Sequence, residues 1–299
     1  MTSDWLITPP PSGQEGIPFA EAVARAEADL PAVLPDDPSQ LLFALDIDGT
    51  MVGTHGVTDR MKQALAEAEA AGANIVIATG RGVYSTRHVV EELGLHRSWV
   101  VCSNGSLTVR WDGDGHQVAD INEFDPRPTG EQFLETFPGI LLGVDVGAGG
   151  MLVSQLFPAG ELMRQELADS LEAVLGRRAT RLVARAPWLE RDDFAQQIDE
   201  MNLVDVEYAV GWTSWVDIGP AGVTKATGLQ RLVDQLELPS TGTFAIGDGE
   251  NDLAMLRWAH HGVAMGSADE AVRSAADAVT TAVEHDGAAA VIRAVLNRY

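Results

Sequence analysis

Three short apolar runs, each ending at a polar turn, constrain the fold of this chain more than any other feature. Residues 41–45, 74–78 and 99–102 have the pattern of strands that are buried on both faces of a parallel sheet. Amphipathic stretches at 58–71 and 83–93 lie between these runs and predict helices. The order strand, helix, strand, helix, strand predicts a doubly wound, Rossmann-like α/β sheet.

The middle of the chain follows a different pattern. Alternating apolar and polar residues predict two hairpins, at 107–111 with 117–121 and at 140–146 with 151–156. Helices are predicted at 159–175 and 188–201, and strands at 206–210 and 214–218. Together these elements indicate a separate α+β unit.

The end of the chain returns to the first pattern. A helix at 224–236, a buried strand at 243–246 and a closing helix at 288–296 are predicted. We therefore predict an α/β core that is interrupted by an inserted α+β cap domain. The predicted boundaries are an N-terminal extension at 1–40, core at 41–107, cap at 108–219 and core again at 220–299.

The extension at 1–40 contains one predicted helix, at 19–30, between two proline-rich segments. It lacks the basic and apolar regions of a secretory signal, so export is not expected. Its sequence leaves open whether it docks on the core or stays mobile.

The strong acidic excess limits the partners of the protein. Against 44 Asp and Glu there are 20 Lys and Arg, for a formal charge of −24. Such a surface repels nucleic acid and anionic lipid, so we expect neither as a partner. No apolar run approaches the ~18 residues of a membrane span, and the single cysteine, Cys102, favours the reducing cytoplasm. Oligomeric state cannot be read from the sequence.

Acidic residues follow the first and last strong strands directly. Asp46 and Asp48 come after the run at 41–45, and Gly49 permits the sharp turn that would direct both carboxylates to one site. Near the other end, Asp248 and Asp252 lie within Gly247-Asp248-Gly249-Glu250-Asn251-Asp252, whose oxygen donors suit a hard cation such as Mg²⁺. Both segments also fit solvated acidic turns that cap helices.

Two further features suggest phosphate binding. Thr79-Gly80-Arg81 ends the second strand, and a hydroxyl with free amides before a helix can hold an oxyanion. Lys225 opens a helix after the predicted cap and is one of only two lysines, with Lys62. Ordinary turn chemistry and a surface lysine are the alternative interpretations.

Taken in order, these segments resemble a known family. Asp46-Ile47-Asp48-Gly49-Thr50, Thr79-Gly80-Arg81, Lys225 and the segment at 247–252 resemble motifs I to IV of the haloacid dehalogenase (HAD) superfamily. Ser103-Asn104-Gly105 is similar to a further signature of its Cof-type sugar phosphatase branch. The insertion between motifs II and III is similar to the type-2 cap of class IIB (C2B) members. The resemblance spans residues 41–299.

The resemblance implies a Mg²⁺-dependent phosphatase that acts on a small phosphorylated metabolite. It assigns catalysis to Asp46, as nucleophile, and Asp48, as general acid and base. It assigns phosphate binding to Thr79, Gly80, Arg81, Lys225 and Asn251, and metal binding to Asp46, the backbone carbonyl of Asp48, Asp248 and Asp252.

Two alternatives remain open at this point. A phosphomutase similar to phosphomannomutase would use the same aspartate pair but return the phosphoryl group to a sugar hydroxyl. A non-catalytic sugar-phosphate binder would need none of the acids that phosphoryl transfer requires. Release of inorganic phosphate, without formation of an isomer, separates a hydrolase from both.

Overall fold

Within the residues that the computed structural model describes, 12–13, 15–113, 115–145 and 150–299, the strands form two sheets. The predicted turn at 147–150 and the proline run at 9–11 lie largely outside these residues. The helices are α1 (Phe19–Asp29), α2 (Asp59–Ala70), α3 (Val83–Leu93), α4 (Arg127–Thr136), α5 (Leu171–Leu175), α6 (Arg191–Met201), α7 (Lys225–Leu236), α8 (Leu253–Trp258), α9 (Glu270–Arg273) and α10 (Gly287–Leu296). The strands are β1 (Leu42–Leu45), β2 (Asn74–Ala78), β3 (Ser98–Cys102), β4 (Leu107–Trp111), β5 (His116–Ile121), β6 (Leu141–Asp145), β7 (Met151–Val153), β8 (Gln165–Leu167), β9 (Arg181–Arg185), β10 (Val206–Val210), β11 (Trp215–Pro220), β12 (Thr243–Gly247), β13 (His261–Ala264) and β14 (Ala278–Val279).

The larger sheet has the order β14-β13-β12-β1-β2-β3-β4-β5, and its strands from β14 to β3 are parallel. β1 lies in the interior and is buried on both faces. Phe43 and Leu45 pack into the cluster formed with α2, α3 and α10, while Leu42 and Ala44 pack into the cluster formed with α7, α8 and α9. The doubly wound α/β fold is confirmed, and it explains why the sequence of β1 is apolar without alternation.

Parallel pairing places the ends of the core strands side by side. Leu45 is in register with Ile246 of β12 on one side and with Ile77 of β2 on the other. The amide of Asp46 continues this ladder by donating to the carbonyl of Ile246 at 3.1 Å. The residues that follow β1, β2 and β12 therefore meet at the carboxyl edge of the sheet, where open α/β folds bind ligands.

The smaller sheet has the order β10-β11-β9-β6-β7-β8 and lies within the predicted cap. One face carries a core in which α4, α5 and α6 contribute Phe133, Val174 and Phe194. The opposite face carries Val183 and its apolar neighbours. This is an α+β arrangement, as predicted for the insertion, and the face that carries Val183 is the one that bears the polar residues described below.

The predicted hairpin at 107–121 forms, but it joins the larger sheet rather than the cap sheet. β4 pairs antiparallel with β3, and β5 pairs with β4 at the sheet edge. Alternation predicts a hairpin but does not indicate which sheet the hairpin extends, so the predicted boundary at 107/108 assigns it to the cap. The division into domains stays a prediction, and sheet membership favours a cap that begins after Ile121.

The two chain segments that join the sheets are adjacent. The amide of Asn122, just after β5, donates to the carbonyl of Ser106 at 2.7 Å. Gly219, at the end of β11, lies so close that a Cβ there would be 3.4 Å from the Ser106 hydroxyl oxygen. Both connections therefore pass one buried serine.

Parts of the cap differ from the sequence prediction. The helix predicted at 159–175 is replaced by β8 and the short helix α5, and α4 and β9 were not predicted. Between β8 and α5 the chain turns at Asp169 and Ser170, and Ser170 caps α5 through the amide of Ala173. The apolar spacing at 159–175 was therefore an incorrect indication of one continuous helix. Among the described residues, none of the helices is long and apolar enough to cross a membrane.

The N-terminal helix α1 docks on α10. Ala22 and Val23 are buried against Ala290 and Ala294.

We expect Val23→Asp to lower the free energy of unfolding by about 1–3 kcal/mol, because it buries a carboxylate in an apolar contact, and to leave kcat unchanged. Thermal melting and steady-state assays measure the two effects, and Ala24→Asp on the exposed side of α1 is the control. Equal melting temperatures for both variants would contradict this packing role.

Candidate active site

Three carboxylates converge at the carboxyl edge of the larger sheet. Asp46 follows β1, while Asp248 and Asp252 follow β12, and one oxygen from each lies within 4.8 Å of the others. Asp46 is 7% exposed and Asp252 is fully buried. The structure thus brings together acids that are about 200 residues apart in the sequence because β1 and β12 are neighbours.

The ammonium of Lys225 lies between two of these carboxylates. Its Nζ donates to Oδ1 of Asp46 and to Oδ1 of Asp252, both at 2.6 Å, and the side chain has no solvent exposure. Lys225 is the first residue of α7, and a capping box between Thr224 and Thr227 fixes that helix start. The alternative of a surface lysine is therefore wrong.

A glycine allows α7 to approach the sheet this closely. Gly105 has φ 103°, and a Cβ there would lie 2.1 Å from the Thr224 carbonyl oxygen. It ends a turn in which Ser103 and Asn104 also have positive φ, 49° and 51°. Residues other than glycine are disfavoured at positive φ, so the turn at Ser103 and Asn104 is strained. This turn places Gly105 against the start of α7.

Burial and mutual repulsion disturb the titration of the acids. Burial is the largest of the effects that together raise the pKa of Asp46 to about 7; Lys225 opposes the shift, and Asp252 and Asp48 add to it. Burial also raises the pKa of Asp248 well above its ordinary value, with Asp46 adding to the effect. For Lys225, burial alone would lower the pKa, but Asp252 and Asp46 more than offset this and raise it.

The donor set fits a divalent cation. If all three carboxylates of Asp46, Asp248 and Asp252 are ionised, the ammonium of Lys225 leaves two negative charges without compensation. Oxygen donors of this kind are what Mg²⁺ prefers. A dication would also offset the repulsion between acids, which adds to the larger effect of burial in raising the pKa values of Asp46 and Asp248. The acidic cluster is therefore a candidate metal site.

Thr50 and Gly49 position Asp248 across the site. The hydroxyl of Thr50 donates to Oδ1 of Asp248 at 3.0 Å. Gly49 has φ 84°, and a Cβ there would lie 2.3 Å from Oδ2 of Asp248. Gly49 is thus required both by its backbone conformation and by the space that Asp248 occupies. The hydroxyl of Thr50 was not assigned a role from the sequence, although it belongs to the same segment as Asp46.

Asp252 uses both oxygens within the protein. Oδ2 accepts from the amides of Asp248 and Gly249, each at 2.9 Å, while Oδ1 accepts from Lys225. These contacts fix the loop after β12 and hold the lysine in place. Metal binding by Asp252 stays a prediction. Its contacts show that it anchors the loop after β12 and pairs with Lys225.

Arg81 contacts the second aspartate of the site. Its Nε and Nη2 donate to the two carboxylate oxygens of Asp48 at 2.8 and 2.5 Å. The sequence pointed to phosphate binding by Arg81, and that role stays a prediction. The geometry instead shows a two-point ion pair that fixes the orientation of the Asp48 carboxylate.

Thr79, Gly80 and Asn251 also lie at this edge of the sheet. The Thr79 hydroxyl oxygen accepts from the amide of Arg81 at 3.1 Å. The side-chain amide of Asn251 donates to Oδ1 of Asn104 at 3.0 Å, and both asparagines lie beside Gly80. All of the predicted site residues are therefore brought to one edge of the sheet.

The cap contributes residues that were not found from the sequence. Arg181 of β9 is buried and lies between Asp145 of β6 and Asp217 of β11, at 3.6 and 3.1 Å. Burial raises the pKa of Asp217, and Arg181 opposes that shift. The sequence contains a signal for these residues. Arg181 and Arg185 lie on the same face of β9, whose other residues are apolar, and charged side chains are rarely buried without a partner.

Comparison with known proteins gives a consistent result. The family model of the haloacid dehalogenase-like hydrolases matches residues 43–135 and 164–292. The chain is 27% identical to the 5-amino-6-(5-phospho-D-ribitylamino)uracil phosphatase YcsE of Bacillus subtilis (strain 168), over 88% of this chain and 98% of that protein.

Two solved structures are also similar. The HAD-superfamily phosphatase BT1666 of Bacteroides thetaiotaomicron is 28% identical, with a TM-score of 0.71, covering 90% of this chain and 98% of the other. The subclass IIB sugar phosphatase BT4131 is 23% identical, with the same TM-score, covering 85% and 98%. At that identity the second match speaks for the fold alone, which is the core with a class IIB cap.

Proposed function

The chain belongs to the family of haloacid dehalogenase-like hydrolases, and from this premise we propose that it is a Mg²⁺-dependent phosphatase in which Asp46 transiently carries the phosphoryl group. The phosphatase class follows from the family and its similar members. The proposed substrate is a small phosphomonoester, such as a sugar phosphate, in keeping with the phosphorylated ribitylaminouracil named for YcsE. We also propose a cytoplasmic setting, which agrees with the free, buried thiol of Cys102.

The observation that carries this proposal is the environment of the Asp46 carboxylate. It lies 2.6 Å from the Lys225 ammonium and within the acidic cluster that includes Asp248. A carboxylate can approach an anionic phosphate only where positive charge offsets their repulsion. Lys225 and a bound cation would supply that charge, which makes Asp46 the acid best placed to attack phosphorus.

The reaction would proceed in two displacement steps. An oxygen of Asp46 attacks phosphorus and the ester P–O bond breaks, while Asp48 gives its proton to the leaving oxygen. Asp48 then takes a proton from water, which attacks the phosphorus, releases inorganic phosphate and regenerates Asp46. Arg81 contacts both oxygens of Asp48 in the ionised state. When Asp48 carries a proton, that proton would replace one of these contacts, and the other would keep the residue oriented.

The residues that would hold the metal are Asp46, Asp248 and the backbone carbonyl of Asp48, with Asp252 supporting them. Bound Mg²⁺ would neutralise charge on the nucleophile and on the phosphoryl oxygens. The Thr79 hydroxyl, the Gly80 amide, Lys225 and Asn251 would bind the remaining oxygens of the phosphoryl group.

A phosphate-release screen tests the function. Purified protein is incubated with a panel of phosphorylated sugars and cofactors in Mg²⁺, and inorganic phosphate is measured alongside chromatography of the sugar. We expect release from at least one small phosphomonoester, loss of that activity in EDTA and recovery with added Mg²⁺. Isomer formation without phosphate release would instead indicate a mutase, and full activity in EDTA would contradict the metal assignment.

Thermal stability gives a test of the metal site that does not depend on turnover. The pKa of Asp46 is about 7 in the folded protein, against an ordinary value of 3.8. The metal-free folded protein therefore binds this proton more tightly than the unfolded chain does. Stability without metal should therefore fall as pH rises from about 4 through 7. Mg²⁺ competes with these protons, so its stabilisation should grow over the same range.

At one fixed Mg²⁺ concentration, 100 times the dissociation constant measured at pH 8, we expect Tm to rise by about 5–10 °C at pH 8, from ~2.7 kcal/mol of linkage, and by less at pH 5.5. Differential scanning fluorimetry measures both shifts. Asp248→Asn is the control and should lose most of the shift at pH 8. Equal shifts at the two pH values would contradict the role of buried, proton-binding carboxylates.

A further inference from the structure

The turn at 79–81 is held partly by the cap. The carbonyl of Thr79 accepts from the amide of Asn104 at 3.0 Å, and the carbonyl of Arg81 accepts from the amide of Ser103 at 2.9 Å. Both of these donors belong to the core. The carbonyl of Gly80, between them, accepts from Nη1 of Arg181 in the cap at 2.7 Å.

Arg181 is arranged as a fixed donor. Its side chain is 7% exposed, and Nη1 also reaches Oδ1 of Asp217 at 3.1 Å. Nη2 faces Oδ2 of Asp145 and the sulfur of Met151, both at 3.6 Å. Because two cap carboxylates offset its charge, this guanidinium is suited to hold a backbone carbonyl rather than to attract a free anion.

The peptide group after Gly80 transmits this contact to the pocket. A peptide is planar, with its carbonyl and amide pointing in opposite directions, so fixing the Gly80 carbonyl also fixes the Arg81 amide. That amide donates to the hydroxyl oxygen of Thr79 at 3.1 Å. In this contact the Thr79 hydroxyl oxygen is the acceptor. Its hydroxyl hydrogen can therefore be donated to a phosphoryl oxygen.

The cap and core surfaces fit closely at this point. Gly82 packs against Asp145, and a Cβ on Gly82 would lie 2.0 Å from Oδ2 of Asp145 and 3.3 Å from Nη2 of Arg181. A second contact places the Arg164 guanidinium of the cap over the ring of Tyr84 in α3, at 5.4 Å. The contact between Arg181 and Gly80 is therefore part of a docked interface.

We propose that Arg181 is a positioning residue by which the docked cap orders the turn at 79–81 and so completes the phosphate-binding site. The inference rests on the proposed function, because it assigns this turn to the phosphoryl group. It adds that phosphate affinity in the core depends on a side chain of the cap. The competing role, direct contact between Arg181 and the leaving group of the substrate, would make its effect depend on the substrate.

Inorganic phosphate distinguishes these roles because it has no leaving group. We expect Arg181→Lys, titrated with phosphate by calorimetry in Mg²⁺, to bind about tenfold more weakly than wild type, the usual effect of one lost charge-assisted hydrogen bond. Its kcat/KM should fall by the same factor on a sugar phosphate and on p-nitrophenyl phosphate. Unchanged phosphate affinity in the folded variant would overturn the inference, as would a loss confined to one substrate.

Arg185→Lys is the matched control. Arg185 lies on the same strand and is 8% exposed, but its partners, Glu161 and Ser214, belong to the cap. We expect phosphate affinity within about twofold of wild type. An equal loss in both variants would show a general effect of cap stability and would overturn the inference.

Gly82→Ala provides a second, independent variant that retains Arg181. Its methyl group would overlap Oδ2 of Asp145 and approach Nη2 of Arg181. It would therefore displace the carboxylate that Arg181 faces or hold the cap away from the turn, and the φ of −75° at Gly82 suits alanine. We expect the same loss of phosphate affinity as in Arg181→Lys. If Arg181→Lys fails to fold, wild-type affinity in Gly82→Ala overturns the inference.

The two proposals can fail separately. A wild-type protein that binds phosphate but hydrolyses no phosphomonoester would overturn the proposed function, while the binding comparison would still decide the role of Arg181. A wild-type protein that hydrolyses phosphomonoesters, with Arg181→Lys equal to it in phosphate affinity, would overturn the role of Arg181 alone. Failure of the wild type to bind phosphate in Mg²⁺ would overturn both.

Discussion

Asp46→Asn should lower kcat for phosphate release by at least about 10⁴-fold, because an amide cannot replace the carboxylate as nucleophile. The fold should persist. The amide oxygen of asparagine can still accept from Lys225, which lies 2.6 Å from Oδ1 of Asp46. In chelator the variant should melt no lower than wild type, since burial, with smaller effects of Asp252 and Asp48, disfavours a negative charge at this position.

Asp286→Asn is the matched control for this experiment. Asp286 is also largely buried and bonded to Thr58 and Arg60, but it lies outside the acidic cluster. Its substitution should change kcat by no more than about twofold. A kcat in Asp46→Asn above one-hundredth of the wild-type value would remove Asp46 from the nucleophilic role.

Lys225→Met should lower both activity and stability. It removes the ammonium from between Asp46 and Asp252, and breaking a buried ion pair costs about 3–5 kcal/mol, or roughly 10 °C in Tm for a protein of this size. Loss of a charge aimed at the phosphoryl group should lower kcat by about 10²–10³-fold. The fall in Tm should be smaller at pH 5 than at pH 8, because Asp46, whose pKa is about 7, is protonated and neutral at the lower pH.

Lys62→Met makes the same chemical change at the other lysine of the chain. Lys62 lies on α2 and is partly exposed, so we expect a change within about 0.5 kcal/mol and unchanged activity. Thermal melts at both pH values and a phosphate-release assay measure these effects. If Lys225→Met and Lys62→Met have the same melting temperature, the buried ion pair does not stabilise the fold.

The core could be predicted from the sequence because its signals are local. Continuous apolar runs predicted β1 and β2, and the acids that follow β1 and β12 were expected to converge because parallel strands end at one edge. The close contact of Asp46 with Lys225 was expected only from the resemblance. No local pattern indicates that α7 begins against the turn that contains Gly105.

The remaining features depend on long-range choices that local patterns do not encode. The alternation at 107–121 predicted a hairpin, but only the free edge of β3 determines which sheet it extends. The pairing of Arg81 with Asp48 depends on the direction in which the Arg81 side chain extends from the end of β2 toward the end of β1. Arg181 reaches Gly80 because the cap docks on the core, and a sequence pattern gives no docking geometry.

The adjacent connections at Ser106 have an evolutionary consequence. The segment that leaves the larger sheet at Asn122 and the segment that returns at Gly219 pass the same serine. Recombination can therefore exchange everything between them for another insertion while the order of the residues around Asp46 is preserved. A lineage could in this way acquire a new substrate preference in one event, provided that the incoming unit supplied a donor for the carbonyl of Gly80.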